Sequence, residues 1–112
     1  MGVAAMIKFD PGDILSTKAA MEVVLNAKTN GQHYIQKHLK GNFGDIDSKQ
    51  KRANKENIIS KISEVISKYL LSNGTVLKIV TDFENKATIF CIPNEDYSYL
   101  IKNKRFSDAK EG

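Results

Sequence analysis

The sequence predicts an α+β fold in which two to three N-terminal helices pack on a three- to four-stranded antiparallel β-meander. Two observations support this prediction. Apolar residues recur at helical spacing in the first half of the chain, whereas from residue 65 to residue 92 they largely alternate with polar residues, as in strands. The pair Asn73-Gly74 in the second region is a strong signal for a hairpin turn. Because a bare three-stranded sheet needs a covered face, the preceding helices are expected to lie on it.

The first helix follows from the spacing of its apolar residues. It is predicted at residues 18–28, with the side-chain oxygen of Ser16 or Thr17 as its N-cap. Ile14 and Leu15, just before this helix, are expected to point into the core. The inward face of the helix is predicted to carry Ala20, Met21, Val24 and Leu25.

Two further helices are predicted before the strands. The second spans residues 32–40 and ends at Gly41, which adopts a positive φ without steric cost. The third begins at Asp47 or Ser48, since either side chain can cap a helix. It carries its basic residues outward, and these are Lys49, Lys51, Arg52 and Lys55.

The strands of the meander are predicted at residues 65–71, 75–82 and 87–92, and Pro93 ends the last of them. A short strand at residues 7–9 is expected to add a fourth at one edge. If the strand at residues 87–92 is an outer strand, it offers a surface for a homodimer that pairs across a two-fold axis.

The length of 112 residues suits one domain, because two independent cores would be too small. We assign residues 7–97 to this domain. Residues 1–6 are expected to be an added or disordered start, with Met6 as the natural first residue. Residues 98–112 are expected to be a basic C-terminal tail that is partly disordered.

Composition indicates the compartment. The single cysteine, Cys91, excludes an internal disulfide, and the apolar runs are too short for a membrane-spanning helix. The start of the chain lacks the basic region of a signal peptide. We therefore expect a cytoplasmic protein without a membrane partner.

The net charge of +4 permits binding to nucleic acid. Nearly all of the positive charge is lysine, however, and Arg52 and Arg105 are the two arginines of the chain. Arginine gives the bidentate contacts to phosphate and guanine, so its scarcity favours an ordinary solvated surface.

The most distinctive segment is GNFGDID at residues 41–47, followed about two helical turns later by Asn54. With KFDPGDILST at residues 8–17 and IFCIPNEDY at residues 89–97, it resembles small, poorly characterised proteins of bacterial plasmids, phages and integrated elements. Phe43 stands where that group usually has Trp. The resemblance covers residues 7–97.

Proteins of this group are sometimes labelled as subunits of a type I restriction methylase. An adenine methyltransferase needs a glycine-rich loop for its methyl donor and an Asn/Asp-Pro-Pro-aromatic motif for the target base. Neither motif occurs here. The resemblance therefore implies a context only, namely an accessory gene of mobile DNA near restriction or other defence genes.

No complete catalytic or metal-binding set occurs in the sequence, and no cofactor is expected. Asp45 and Asp47 are candidates for a carboxylate pair, but capping of a helix and bonding to turn amides is the favoured interpretation. His33 and His38 are five residues apart, a spacing unlike that of zinc ligands. Cys91 lies in a predicted strand and is expected to be a small core residue, with a Cys–His dyad as the alternative.

These observations predict a non-enzymatic accessory protein of a mobile genetic element that acts by protein–protein binding, with inhibition of a host restriction or CRISPR system as its role. The alternative is a small nucleic-acid-binding regulator that uses the basic third helix. A third hypothesis is a binder of a nucleotide signal. The predicted partner-binding residues are Lys49, Lys51, Arg52, Lys55, Phe43 and Asp45.

Overall fold

The computed structural model describes residues 9–111, and the side chains of residues 9–104. The expected added start and residues 7 and 8 of the predicted edge strand lie outside this range. Along the chain the elements are β1 (Asp13–Ser16), α1 (Lys18–Asn26), α2 (Gly31–Leu39), α3 (Ser48–Ser60), β2 (Glu64–Leu70), β3 (Val76–Asp82), β4 (Ala87–Cys91) and α4 (Ser98–Glu111).

Local sequence signals place the first three helices as predicted. Each begins after a side chain that accepts the backbone N–H three residues later, which satisfies a donor that the helix leaves without a partner. The capping residues are Thr17, Asn30 and Asp47. The hairpin turn between β2 and β3 is also confirmed, with Gly74 at a φ of +84°.

The sheet is mixed, so the prediction of an all-antiparallel meander was wrong. Its strand order is β1-β4-β3-β2, in which β2, β3 and β4 are antiparallel and β1 is parallel to β4. The edge strand lies at Asp13–Ser16, beyond the turn that was expected to end it, while Phe9 is buried in the core. Gly12 explains the shift, because its backbone packs against the carbonyl of Lys86 so closely that a Cβ would lie 2.0 Å from the oxygen. The turn at Gly12 therefore places the residues that follow it, Asp13–Ser16, beside β4.

The helices are not all N-terminal, which is a second correction. Residues 98–111, which were predicted to belong to a basic tail, form α4. This helix packs on the face of the sheet opposite α1 and α2. Tyr97, Leu100 and Ile101 cover Val80 and Ile89 there. The sheet is thus sandwiched between helical layers, and for this reason all five residues of β4 are buried.

The position of β4 also corrects the expected dimer surface. This strand lies between β1 and β3, so both of its edges are paired within the chain. It is not available for pairing across a two-fold axis. The outer strands of the sheet are β1 and β2.

Candidate protein-binding surface

The loop between α2 and α3 closes the outer edge of β2. The backbone N–H of Lys68 donates to the Phe43 carbonyl at 3.0 Å, and Asp45 N–H donates to the Lys68 carbonyl at 2.7 Å. Gly44 lies between these bonds with a φ of +72°, and a Cβ there would stand 2.0 Å from the Lys68 oxygen. Only glycine therefore permits the loop to approach the strand this closely.

Asn54 continues this closure from α3. Its Nδ2 donates to the Ile66 carbonyl at 2.8 Å, and its Oδ1 accepts from the Ile66 N–H at 3.0 Å. One turn further on, Asn57 Nδ2 donates to the Glu64 carbonyl at 2.8 Å. The Asn54 side chain is fully buried and takes the place of a neighbouring strand. The most distinctive motif of the sequence thus satisfies the backbone groups at one edge of the sheet.

The residues predicted to bind a partner lie in different environments. Phe43 is 6% exposed and packs in the core, so its ring is not presented to a partner. Asp45 is exposed beside the covered edge. Lys51 and Lys55 line a shallow cavity of about 260 Å³ against residues 41–44. All four predicted cations of α3 are exposed, namely Lys49, Lys51, Arg52 and Lys55.

The outer edge of β1 is open by contrast. Asp13 N–H donates to the Lys86 carbonyl and Thr17 N–H donates to the Phe90 carbonyl, so these residues face β4. Because backbone groups alternate along a strand, Ile14 and Ser16 direct theirs to the other side. No strand of residues 9–111 lies on that side of β1.

An apolar groove runs beside this open edge, between β1 and α1, with a volume of about 370 Å³. Ile14 and Met21 are each 56% exposed, and Leu25 is 70% exposed. Sequence analysis placed these three residues inward, and the structure corrects that prediction, because α1 buries Ala20 and Val24 alone. We call this surface the β1 groove, and its main residues are Ile14, Ala20, Met21, Val24, Leu25 and Phe90.

A chain of buried polar side chains crosses the interior beneath α2. His38 Nδ1 lies 2.6 Å from Ser67 Oγ, and His38 Nε2 lies 2.8 Å from Thr81 Oγ1. Thr81 Oγ1 contacts Thr88 Oγ1 at 2.7 Å, and Thr88 donates to the Pro11 carbonyl at 2.7 Å. Since a carbonyl only accepts, Thr81 must donate to Thr88, and the Nε2–H of His38 must donate to Thr81. Ser67 then donates to Nδ1 of a neutral imidazole.

This chain holds the fold together and is not exposed to a substrate. Burial lowers the pKa of His38 from 6.5 to about 3, so the ring is neutral near pH 7. Ser67 and His38 resemble a nucleophile and its base in their spacing, but both are fully buried. The rings of Phe9 and Phe43 pack edge-on against the imidazole, with centroids at 5.3 and 6.4 Å.

Cys91 is a core residue, as predicted. It is fully buried, and burial raises the pKa of its thiol to about 11, which disfavours the reactive thiolate. Its side chain belongs to the cluster beneath α4, whereas His38 is a residue of α2 and packs on the opposite face of the sheet. The two residues therefore do not form a Cys–His dyad.

A cavity of about 630 Å³ has a mixed lining of acids, lysines and aromatic rings. Its carboxylates are already engaged by the protein. Asp10 accepts from Gly12 N–H, Asp82 accepts from Asn85, and Asp13 pairs with Lys104 at 3.1 Å. Within the described residues, no group of three potential ligands is arranged to hold a metal ion.

Comparison of the chain with protein-family models, with curated proteins and with solved structures gives no match. The resemblance to proteins of mobile elements stays a prediction. Among residues 9–111, no helix combines the length and apolar character needed to cross a membrane. Two surfaces of the described residues are candidates for binding, namely the β1 groove and the basic face of α3.

Proposed function

We propose that this protein is a binding domain that acts without catalysis, and that an extended segment of a protein partner pairs with β1 and fills the β1 groove. The observation that carries this proposal is the coincidence of an open strand edge with exposed apolar side chains. An added strand bonds to the edge through its backbone and gains specificity through side-chain pockets. The β1 groove offers both kinds of contact.

The energetics support a bound state for this surface. Full burial of a large apolar side chain contributes about 1.5–3 kcal/mol. Ile14, Met21 and Leu25 are each more than half exposed, so covering them with a partner would add favourable free energy to binding. The amides and carbonyls of Ile14 and Ser16 add hydrogen bonds that a partner strand can satisfy. Groups of exposed apolar residues beside such an edge are typical of interaction sites.

The resemblance to plasmid and phage proteins supports a cellular context for this proposal. In that context the protein is an accessory factor of a mobile element, and its partner belongs to a host defence complex such as a restriction or CRISPR system. This context is supported if the natural chain captures a component of such a complex and a variant with an altered β1 groove does not.

The test uses a matched pair of variants. Leu25→Glu places a charge in the β1 groove, whereas Ile59→Glu places the same charge at another apolar residue, which is 82% exposed on α3. A tagged protein is used to capture partners from nuclease-treated host lysate. We expect Leu25→Glu to abolish capture of a stoichiometric partner and Ile59→Glu to retain it. Equal capture by both variants contradicts the proposed site.

One observation favours a second candidate function, binding of nucleic acid. The four cations of α3 are exposed on one helix, and phosphate contacts from such a surface weaken steeply with salt. The variant Lys51→Glu/Lys55→Glu, compared with Lys28→Glu on the α1–α2 loop, tests it by titration of duplex DNA and RNA at low salt. If the natural chain binds duplex DNA or RNA and the α3 variant alone loses this binding, the result favours nucleic-acid binding over the β1 groove.

A further inference from the structure

We infer that the β1 groove is occupied, in the absence of a foreign partner, by β1 of a second copy of this chain. The inference rests on the proposed function, since it names a partner for the same surface. Two independent features of the edge fit a symmetric antiparallel pair. They are the spacing of its backbone groups that face away from β4 and the position of its apolar residues.

The backbone groups are self-complementary. Ile14 and Ser16 both face away from β4 and are separated by Leu15 alone. In an antiparallel pair centred on Leu15, Ile14 of each copy lies opposite Ser16 of the other. Residues opposed in this way exchange both of their backbone hydrogen bonds. The four residues of β1 are therefore long enough for a closed set of bonds with an identical strand.

The apolar residues lie on the correct side for the same contact. An antiparallel pair has its two-fold axis perpendicular to the sheet, so equivalent elements of the two copies lie on the same face. The two α1 helices would thus stand side by side above the joined sheets. Met21 and Leu25 are exposed on this helix, and Ile14 lies beneath them. One contact would cover all three.

The closed edge of β2 limits the assembly to two copies. A sheet with two open edges can add further copies without end, whereas one open edge is consumed by a single symmetric contact. Ile66 and Lys68 already bond to Asn54 and to the loop at residues 43–45. The expected product is therefore a dimer with a continuous eight-stranded sheet.

Sedimentation equilibrium over a wide range of protein concentration tests the inference. We expect a reversible monomer–dimer equilibrium for the natural chain. Leu25→Glu is expected to abolish the dimer and Ile59→Glu to leave it unchanged. A monomer at every concentration, or a dimer that Leu25→Glu does not weaken, overturns the inference. Circular dichroism of each variant confirms that the fold is retained.

The outcomes for the dimer and for the proposed function are distinguishable. If the chain is monomeric but Leu25→Glu abolishes capture of a foreign protein, the inference fails and the proposed function stands. If the dimer forms through the groove and no foreign protein is captured, the second copy is the partner of this surface. If neither the dimer nor capture depends on the groove, both fail.

Discussion

The two outer strands of the sheet, β1 and β2, differ in whether the backbone groups on their outer edge have hydrogen-bond partners. The β2 edge is covered by the loop at residues 43–45 and by the side chains of Asn54 and Asn57. The β1 edge is uncovered within the described residues and adjoins exposed apolar side chains. An open strand edge can pair with another strand. The loop and the asparagines at β2 show that this chain can close such an edge, yet β1 has no equivalent among the described residues. The difference indicates that β1 is the binding edge.

The largest expected effect comes from removing the closure of β2. Asn54→Leu leaves the N–H and carbonyl of Ile66 without partners, and each unsatisfied group costs about 1–3 kcal/mol. We expect a loss of about 4 kcal/mol in the free energy of unfolding, measured by urea denaturation. A loss below about 1 kcal/mol would show that water replaces the carboxamide and that the edge is not closed in this way.

Glycine substitution provides a sharper comparison of a closed and an open position. Gly44 and Gly74 both have positive φ, at +72° and +84°, so alanine strains the backbone at each. At Gly44 the new Cβ also meets the Lys68 carbonyl, whereas at Gly74 nothing lies within 4 Å. We expect Gly74→Ala to cost about 1 kcal/mol and Gly44→Ala about 2 kcal/mol more.

Urea denaturation of the two glycine variants measures this difference. Equal losses would mean that backbone strain alone decides the cost and that the loop does not press against β2. Because the variants share their strain, the comparison isolates the contact with Lys68.

The interior strands between the two edges give a pH-dependent test. The folded-state pKa of His38 is about 3 and its ordinary value is 6.5, so between these values the unfolded chain binds more protons. The contribution of neutral His38 to the free energy of unfolding is therefore complete above pH 6.5, and it is lost as the pH falls towards 3. We expect a loss of about 2 kcal/mol between about pH 7 and about pH 5.

Urea denaturation at several pH values checks this expectation. His38→Asn should flatten the dependence in that range, whereas His33→Gln, at an exposed position, should leave it unchanged. If His38→Asn keeps the full pH dependence, another group is responsible and the neutral imidazole assigned here is contradicted.

Local signals were enough to predict much of this fold. The caps at Thr17 and Asp47 and the turn before β3 depend on residues close in sequence, and they are where the sequence placed them. The parallel pairing of β1 with β4 depends on residues about 75 positions apart, for which no local pattern exists. One signal for α4 was present, since the apolar run of β4 indicates a strand covered on both faces.

The candidate site was harder to predict for a physical reason. Met21 and Leu25 have the spacing of core residues, and sequence periodicity does not distinguish a core face from a binding face. Met21 and Leu25 are exposed because they lie beside β1, which is an outer strand of the sheet. His38 likewise has no neighbours in sequence that indicate its burial, because Ser67 and Thr81 reach it through the register of β2 and β3.

The most direct test of the central comparison is amide hydrogen exchange, resolved by NMR for individual residues of the two edges. We predict slow exchange for the amides of Ile66 and Lys68 at every protein concentration. The amides of Ile14 and Ser16 should exchange rapidly in dilute protein and become protected when a second copy or a partner strand binds. Protection of Ile14 and Ser16 in the monomer, or rapid exchange at Ile66 and Lys68, would contradict the account.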